Sequence, residues 1–282
     1  MQQNINSPIY IVTGATGAIG SEIAKVLSAK GLPVMLACRN ISKAEALKSK
    51  LENAEGCGEI LIGRLSLESF SDIRNFADNV KSLNRPIAAL INNAGVMCRY
   101  YNRTNDGIEQ TLAVNYLGTV LLSELLFPIL EYGGSITFTT SITRKLHSLK
   151  EQILQESAEK FSQLGTYGRT KLALTHYALY MSQRDDTAKR TIHINCADPG
   201  IVNTSMITMQ RWYDPLANIF FRPFISSPTQ GASSALSATS NSLNGQIFKH
   251  NHQPHSIESD LRHSDAKFRQ TLVKSTQKIL NL

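Results

Sequence analysis

Apolar residues along this chain fall into two alternating patterns. Short runs rich in β-branched side chains occupy residues 9–13, 33–38, 59–63, 87–92, 135–141 and 191–196, and a seventh candidate lies at 245–249. Between them, Ile19, Ile23, Val26 and Leu27 share one helical face, as do Ile73, Phe76, Ala77 and Val80, while Leu172, Leu174 and Leu179 mark a later helix. Apolar runs of strand length separated by helical stretches are what a parallel sheet covered on both faces requires. Right-handed crossovers leave few topologies for such a chain, and the simplest is an α/β fold, a doubly wound parallel sheet of about seven strands with helices on both faces. No repeat, low-complexity tract or linker interrupts the rhythm, so one domain over residues 1–282 is expected.

Two segments break the pattern. Residues 144–164 are polar and charged, and read as a surface excursion between a strand and the next helix. Residues 205–228 carry Trp212, Tyr213, Phe220, Phe221 and Phe224. Both follow strands, where doubly wound sheets bind ligands, so both are candidates for a substrate wall, and the aromatic one predicts an apolar substrate. The last helical pattern, with Phe268, Leu272 and Ile279, reads as a cap on the domain or a surface for a partner.

Composition narrows the function. At 42% hydrophobic and 18% charged residues the chain can build a sizeable core, which excludes a disordered or coiled-coil protein. It has no run of eighteen apolar residues, and residues 1–7 lack the basic start and apolar stretch of a signal peptide, so no membrane span and a cytoplasmic location are expected. Cys38, Cys57, Cys98 and Cys196 have no paired spacing, and no HExxH or CxxC occurs, so neither disulfides nor a metal are expected. Lys and Arg number 29 against 22 Asp and Glu, for a net charge of +7. Their dispersal fits a basic surface or an anionic small ligand, with no concentrated patch for nucleic acid.

Candidate chemistry starts at the first strand–helix junction. There Gly14, Thr16, Gly17, Ala18, Ile19 and Gly20 form a turn whose glycines let backbone N–H groups and a helix N-terminus approach a pyrophosphate. Gly20 would let the helix pack tightly on the strand. The second strand ends before Arg39 and Asn40, and no Asp or Glu occurs between Glu22 and Glu45. An NAD(H) site wants a carboxylate here for the ribose hydroxyl; Arg39 instead offers a planar cationic fork suited to a 2′-phosphate, which favours NADP(H). Further on, Tyr167 and Lys171 stand four residues apart and share a helical face, so the ammonium would favour tyrosinate and lower the phenol pKa.

Asn92-Asn93-Ala94-Gly95, Asn115, Ser141, Tyr167-Gly168-Arg169-Thr170-Lys171 and Pro199-Gly200, in this order behind Thr13-Gly14, resemble the short-chain dehydrogenase/reductase family over nearly the whole chain. Residues 37–40, the gap from Ser141 to Tyr167, and residues 227–232 resemble its retinol-dehydrogenase-like members. The resemblance implies a Rossmann-type fold and hydride transfer between nicotinamide and a carbonyl or alcohol substrate. It further implies Tyr167 as general acid/base, Lys171 on the nicotinamide ribose, Ser141 on the substrate oxygen and Asn115 positioning a relay water. By the same resemblance Asn93, Ala94 and Gly95 line the adenosine side, and Pro199, Gly200, Ile201 and Thr204 meet the carboxamide. Asp198, just before that turn, reads as a turn residue.

Two positions depart from the family. Ala18 stands where its single-domain members place the second turn glycine, which Gly17 carries here. Ser66 stands where an Asp usually holds the adenine amine. Family dimers and tetramers are common, so a homo-oligomer is one expectation. The competing expectation to an enzyme is a catalytically silent NADP(H)-binding sensor or scaffold.

Overall fold

A computed structural model describes residues 7–149, 154, 157–202 and 225–282. The chain runs β1 (Ile9–Thr13), α1 (Ala18–Ala29), β2 (Val34–Cys38), α2 (Ile41–Glu52), β3 (Ile60–Arg64), α3 (Phe70–Ser82) and β4 (Ile87–Asn92). A long helical stretch follows: α4 (Gln110–Leu112), a π-helical turn (Ala113–Leu117) and α5 (Gly118–Leu126). Then come β5 (Leu130–Thr139), a 3₁₀ turn (Ile142–Leu146), α6 (Gln163–Ser182), α7 (Asp185–Lys189), β6 (His193–Asp198), and the paired short strands β7 (Ile201–Val202) and β8 (Ile225–Ser226). The C-terminal part holds α8 (Pro228–Ser240), β9 (Gln246–Lys249), β10 (His255–Ser256), α9 (Ile257–Asp260) and α10 (Ala266–Leu280).

Among the described residues, eight strands form the main sheet in the order β10-β9-β6-β5-β4-β1-β2-β3, all parallel except β10. From β1 the sheet grows through β2 and β3, and the chain then returns to place β4 on β1's other side. The strand order therefore reverses between β1 and β4, and the crevice beyond their carboxyl ends is where such sheets bind ligands. Successive residues on each strand serve opposite faces: Ile11 and Leu90 join the core under α3, α5 and α6, while Val12 and Ile91 join the core with α1 and α8. That double burial is why these strands read as continuous apolar runs.

The main sheet holds eight strands where about seven are expected; β10 is a two-residue antiparallel edge with no apolar signal. Several boundaries also move, β2 and β9 each starting one residue later than expected and β6 ending at Asp198. β5 starts at Leu130 and ends two residues before Ser141; its first half, with exposed Tyr132 and Gly133 at φ +75°, carries no β-branched signal. β6 begins at His193, because Thr191 holds a left-handed turn at φ +51°. β3 runs one residue later than expected, to Arg64. The last helix packs as a cap, but through Leu272, Val273, Thr276 and Leu280, leaving Ile279 37% exposed. Thr276 and Tyr116 share a buried hydroxyl pair at 2.7 Å. By length and composition the stretch Gln110–Ile129 could cross a bilayer, but most of it is buried inside the protein, as in a core helix.

Candidate active site

β1 delivers the chain into the glycine turn. Gly14 has φ +63°, and a Cβ there would lie 2.9 Å from the Ala94 Cα. Gly20 lies against the turn so closely that its Cβ would meet the Gly14 carbonyl oxygen at 2.3 Å. Gly17 caps α1 without any side-chain hydrogen bond, and the first turn of α1 holds no acidic residue. A Cβ on Gly17 would approach one atom, the Gly14 oxygen at 3.2 Å, so its outer side is open space. Ala18 is exposed; Thr16 and Ile19 are half-buried beside it. The free N–H groups and positive end of α1 thus face an open cradle.

β4 closes the other side. Asn93 Nδ2 donates to the Thr13 carbonyl at 2.9 Å, and the Ala94 N–H donates to Thr13 Oγ1 at 3.0 Å. These bonds fix residues 93–95 across the crevice from the glycine turn.

Beyond β2 and β3 lies an open cleft of about 620 Å³ lined in part by Arg39, Arg64, Ser66, Glu68 and Arg103. Arg39 is largely exposed and pairs with Glu68 at 3.3 Å; Gln110 also donates to Glu68, at 2.9 Å. No local sequence signal marks an acid beside Arg39. Asn40, exposed after β2, also caps α2, its Oδ1 accepting from the Lys43 N–H at 2.9 Å. Ser66 is buried at the edge of the cleft.

The four chemistry-bearing residues meet beyond the carboxyl ends of β4, β5 and β6. Ser141 caps the 3₁₀ turn and shares a side-chain hydrogen bond with Tyr167. Tyr167 lies in the second turn of α6. One turn further, Lys171 is buried with its Nζ 5.7 Å from the Tyr167 ring centre, donating to the Thr139 carbonyl at 2.7 Å. Asn115 sits inside the π-helical turn; its Oδ1 accepts from the Val96 N–H and its Nδ2 donates to the Val96 carbonyl, both at 2.7 Å, and to Thr170 Oγ1 at 3.3 Å. A Cβ on Gly95 would lie 3.3 Å from Asn115 Oδ1 and 3.5 Å from Lys171 Nζ. Glycine at 95 keeps the gap between crevice and lysine clear.

The electrostatics differ from the sequence expectation. Burial pushes the Tyr167 phenol up to about 12; the Ser141 hydrogen bond pulls it down and the Asp198 charge adds to the rise. Burial lowers Lys171 to about 8, against the upward pull of Cys196 and Asp198. Desolvation outweighs the expected ammonium effect at the buried Lys171 and the half-buried Tyr167. At neutral pH the phenol is a proton donor, held beside an ammonium that gives up its proton unusually readily.

Two charged residues differ from expectation. Arg144, expected in a polar surface stretch, is 1% exposed and donates to the Ser141 carbonyl at 2.7 Å and Asp198 at 2.8 Å. Asp198 does cap the following turn, accepting from the Gly200 N–H at 3.1 Å, but it is also a buried acid at the end of β6. Only the adjacency of β5 and β6 brings Arg144 and Asp198 together, and no local sequence signal announces that. Gly200 turns at φ +73°, Pro199 is half-buried, and Ile201 pairs with Ile225 through β7 and β8. Thr204 and the aromatic side chains of 205–228 lie outside the described residues.

The short chain dehydrogenase family model matches residues 8–213. Human (Homo sapiens) polyprenol dehydrogenase is 34% identical over 215 residues, covering 74% of this chain and 65% of its own length; the chain thus spans just under two thirds of that relative. Human retinol dehydrogenase 11 is 33% identical over 234 residues, covering 81% of this chain and 71% of its own. A short chain dehydrogenase from Burkholderia cenocepacia, solved in complex with NADP, is 24% identical with a TM-score of 0.68, over 87% of this chain and 97% of the other, which shows the common fold.

Proposed function

The chain belongs to the short-chain dehydrogenase/reductase family, among its retinol-dehydrogenase-like members, and from that premise we propose that it is an NADP(H)-dependent oxidoreductase interconverting a carbonyl compound and its alcohol. The observation that carries this reading is the meeting of Ser141, Tyr167, Lys171 and Asn115 at the crevice that the glycine turn opens onto. The cradle suits a dinucleotide: an uncapped helix N-terminus, open space outside Gly17, and a gap at Gly95 that any side chain would fill.

The bound dinucleotide supplies the hydride. In the reducing direction Tyr167, protonated at neutral pH, donates its proton to the substrate oxygen, and the Ser141 hydroxyl donates a hydrogen bond to the same oxygen. Lys171, near the ring, stabilises the phenolate left behind and lies close enough to Tyr167 to take part in its reprotonation. Asn115 holds the segment after β4 in place through its paired bonds to Val96. Arg39 supports NADP(H) over NAD(H): its guanidinium is exposed at the cleft edge, and its surface pair with Glu68 is weak enough to yield to a phosphate. The turn that Ser141 caps carries exposed Ile142 and Leu146, and the similar proteins named above are a retinol and a polyprenol dehydrogenase; both facts favour an apolar substrate.

The test follows consumption of NADPH over a panel of long apolar and small polar aldehydes and ketones, with Tyr167→Phe as control. Turnover on apolar members is expected, with a loss of about a hundredfold to ten-thousandfold in the variant and little change in NADPH binding. NADPH binding without turnover on any member overturns the enzyme reading in favour of a sensor, and undiminished turnover in Tyr167→Phe overturns the assignment of the acid.

A further inference from the structure

Arg144 is among the largest fully buried side chains, and its guanidinium donates into three parts of the chain: the Ser141 carbonyl at 2.7 Å, Asp198 at 2.8 Å and Asp260 at 2.9 Å. Asp198 in turn receives the Gly200 N–H at 3.1 Å. One planar cation therefore ties the turn bearing Ser141 to the end of β6 and to the Pro199–Gly200 turn. A buried ion pair adds little net stability over apolar residues of the same volume, because desolvation offsets the attraction. What it does supply is fixed geometry and a fixed charge beside the acid–base pair.

We propose that Arg144 and Asp198 are positioning residues: the guanidinium holds the Ser141 turn and the Pro199–Gly200 turn at a set separation, and the Asp198 carboxylate supplies the negative field in which Tyr167 and Lys171 exchange protons. This deepens, and rests on, the acid–base reading above. Facing Asp198 are Arg144 from the 3₁₀ turn, Lys249 of β9 at 3.7 Å, Tyr167 and Lys171 of α6, and the buried Cys196 thiol of its own strand. Asp260, on the far side of Arg144, has its own cations in Lys145 at 2.8 Å and His255 at 3.1 Å. The Asp198 charge favours the protonated forms of both Tyr167 and Lys171, so removing it lowers both titrations, and removing a cation that faces it raises them.

The test substitutes Asp198→Asn, which keeps the shape and the acceptor for the Gly200 N–H, and Lys249→Met, which removes a partly exposed cation. The Lys171 titration is read from its ¹³Cε resonance in lysine-labelled protein, assigned with Lys171→Gln, and needs neither cofactor nor turnover. Its midpoint, about 8 in the unaltered chain, is expected to fall by on the order of half a pH unit in Asp198→Asn and to rise in Lys249→Met. The pH dependence of kcat moves in the same two directions. General loosening of the site moves both variants one way, so opposite shifts carry the proposal; equal or absent shifts overturn it. Arg144→Lys keeps the charge and loses the fork, and is expected to lower kcat about tenfold with the Lys171 midpoint held; unchanged kcat overturns the clamp. If Asp198→Asn does not fold, the rise or its absence in Lys249→Met decides the field. Shifted titrations in a chain without turnover remove the functional reading alone; turnover that depends on Tyr167 with unshifted titrations removes this proposal alone.

Discussion

Arg39 and Glu68 form the contact on which cofactor choice turns. Their pair is solvent-facing, so it contributes little to stability, and a 2′-phosphate offers Arg39 a doubly charged, bidentate alternative. Arg39→Ala is expected to reduce the ratio of kcat/KM for NADPH over NADH by about tenfold to a hundredfold, the worth of a charge-assisted hydrogen bond. Glu68→Gln is expected to raise it, since the acid both occupies the arginine and repels the phosphate. Steady-state kinetics with the two cofactors measures both, and an unchanged ratio in Arg39→Ala contradicts the NADP(H) assignment. Arg39 was legible in the sequence as a cation in place of a carboxylate. Glu68 was not, because it comes from the loop after β3, and only the pairing of β2 with β3 brings the two loops together. The direction of the Tyr167 shift was also out of reach: spacing puts an ammonium near the phenol, while the extent of burial that overrides it is a property of the fold.

At the scale of elements, the β1–α1 junction shows how a small residue sets both packing and binding. A methyl group at position 20 would lie 2.3 Å from the Gly14 oxygen, 2.8 Å from Asn93 Nδ2 and 2.9 Å from the Ala15 Cα, all in rigid surroundings. Gly20→Ala is therefore expected to lower stability by about 1–3 kcal/mol, read from the denaturant midpoint, and to weaken NADPH binding with it. Gly17→Ala, at φ −81° with open space outside, is expected to cause a smaller loss of stability while still obstructing the cradle. Equal NADPH affinity in Gly17→Ala and the unaltered chain contradicts the placement of the pyrophosphate. Strand identity was plain from sequence because strands buried on both faces read as unbroken apolar runs. Their ends were not, since Thr191 and Gly133 mark turns and irregularities by backbone angle and not by hydrophobicity.

Across the whole molecule, the sheet order places the glycine turn, the segment after β4, and the Ser141 and Pro199–Gly200 turns around one crevice, although they are spread over nearly two hundred residues of sequence. The last helix packs on α6, where its Arg269 and Gln277 bond His176 and Tyr180, and its Thr276 bonds Tyr116 of the π-helical turn, so the C-terminal part of the chain braces the two helices that carry Asn115, Tyr167 and Lys171. The motif order made that convergence readable; the bracing by α10 and the Arg144 clamp, which are long-range contacts without motifs, were not. The most direct measurement is a crystal structure of the chain grown with saturating NADP⁺. The nicotinamide is expected within contact of Tyr167 and Lys171, with the 2′-phosphate on Arg39 in place of Glu68. A glycine cradle without dinucleotide under those conditions, or a ring bound away from Tyr167, would contradict it.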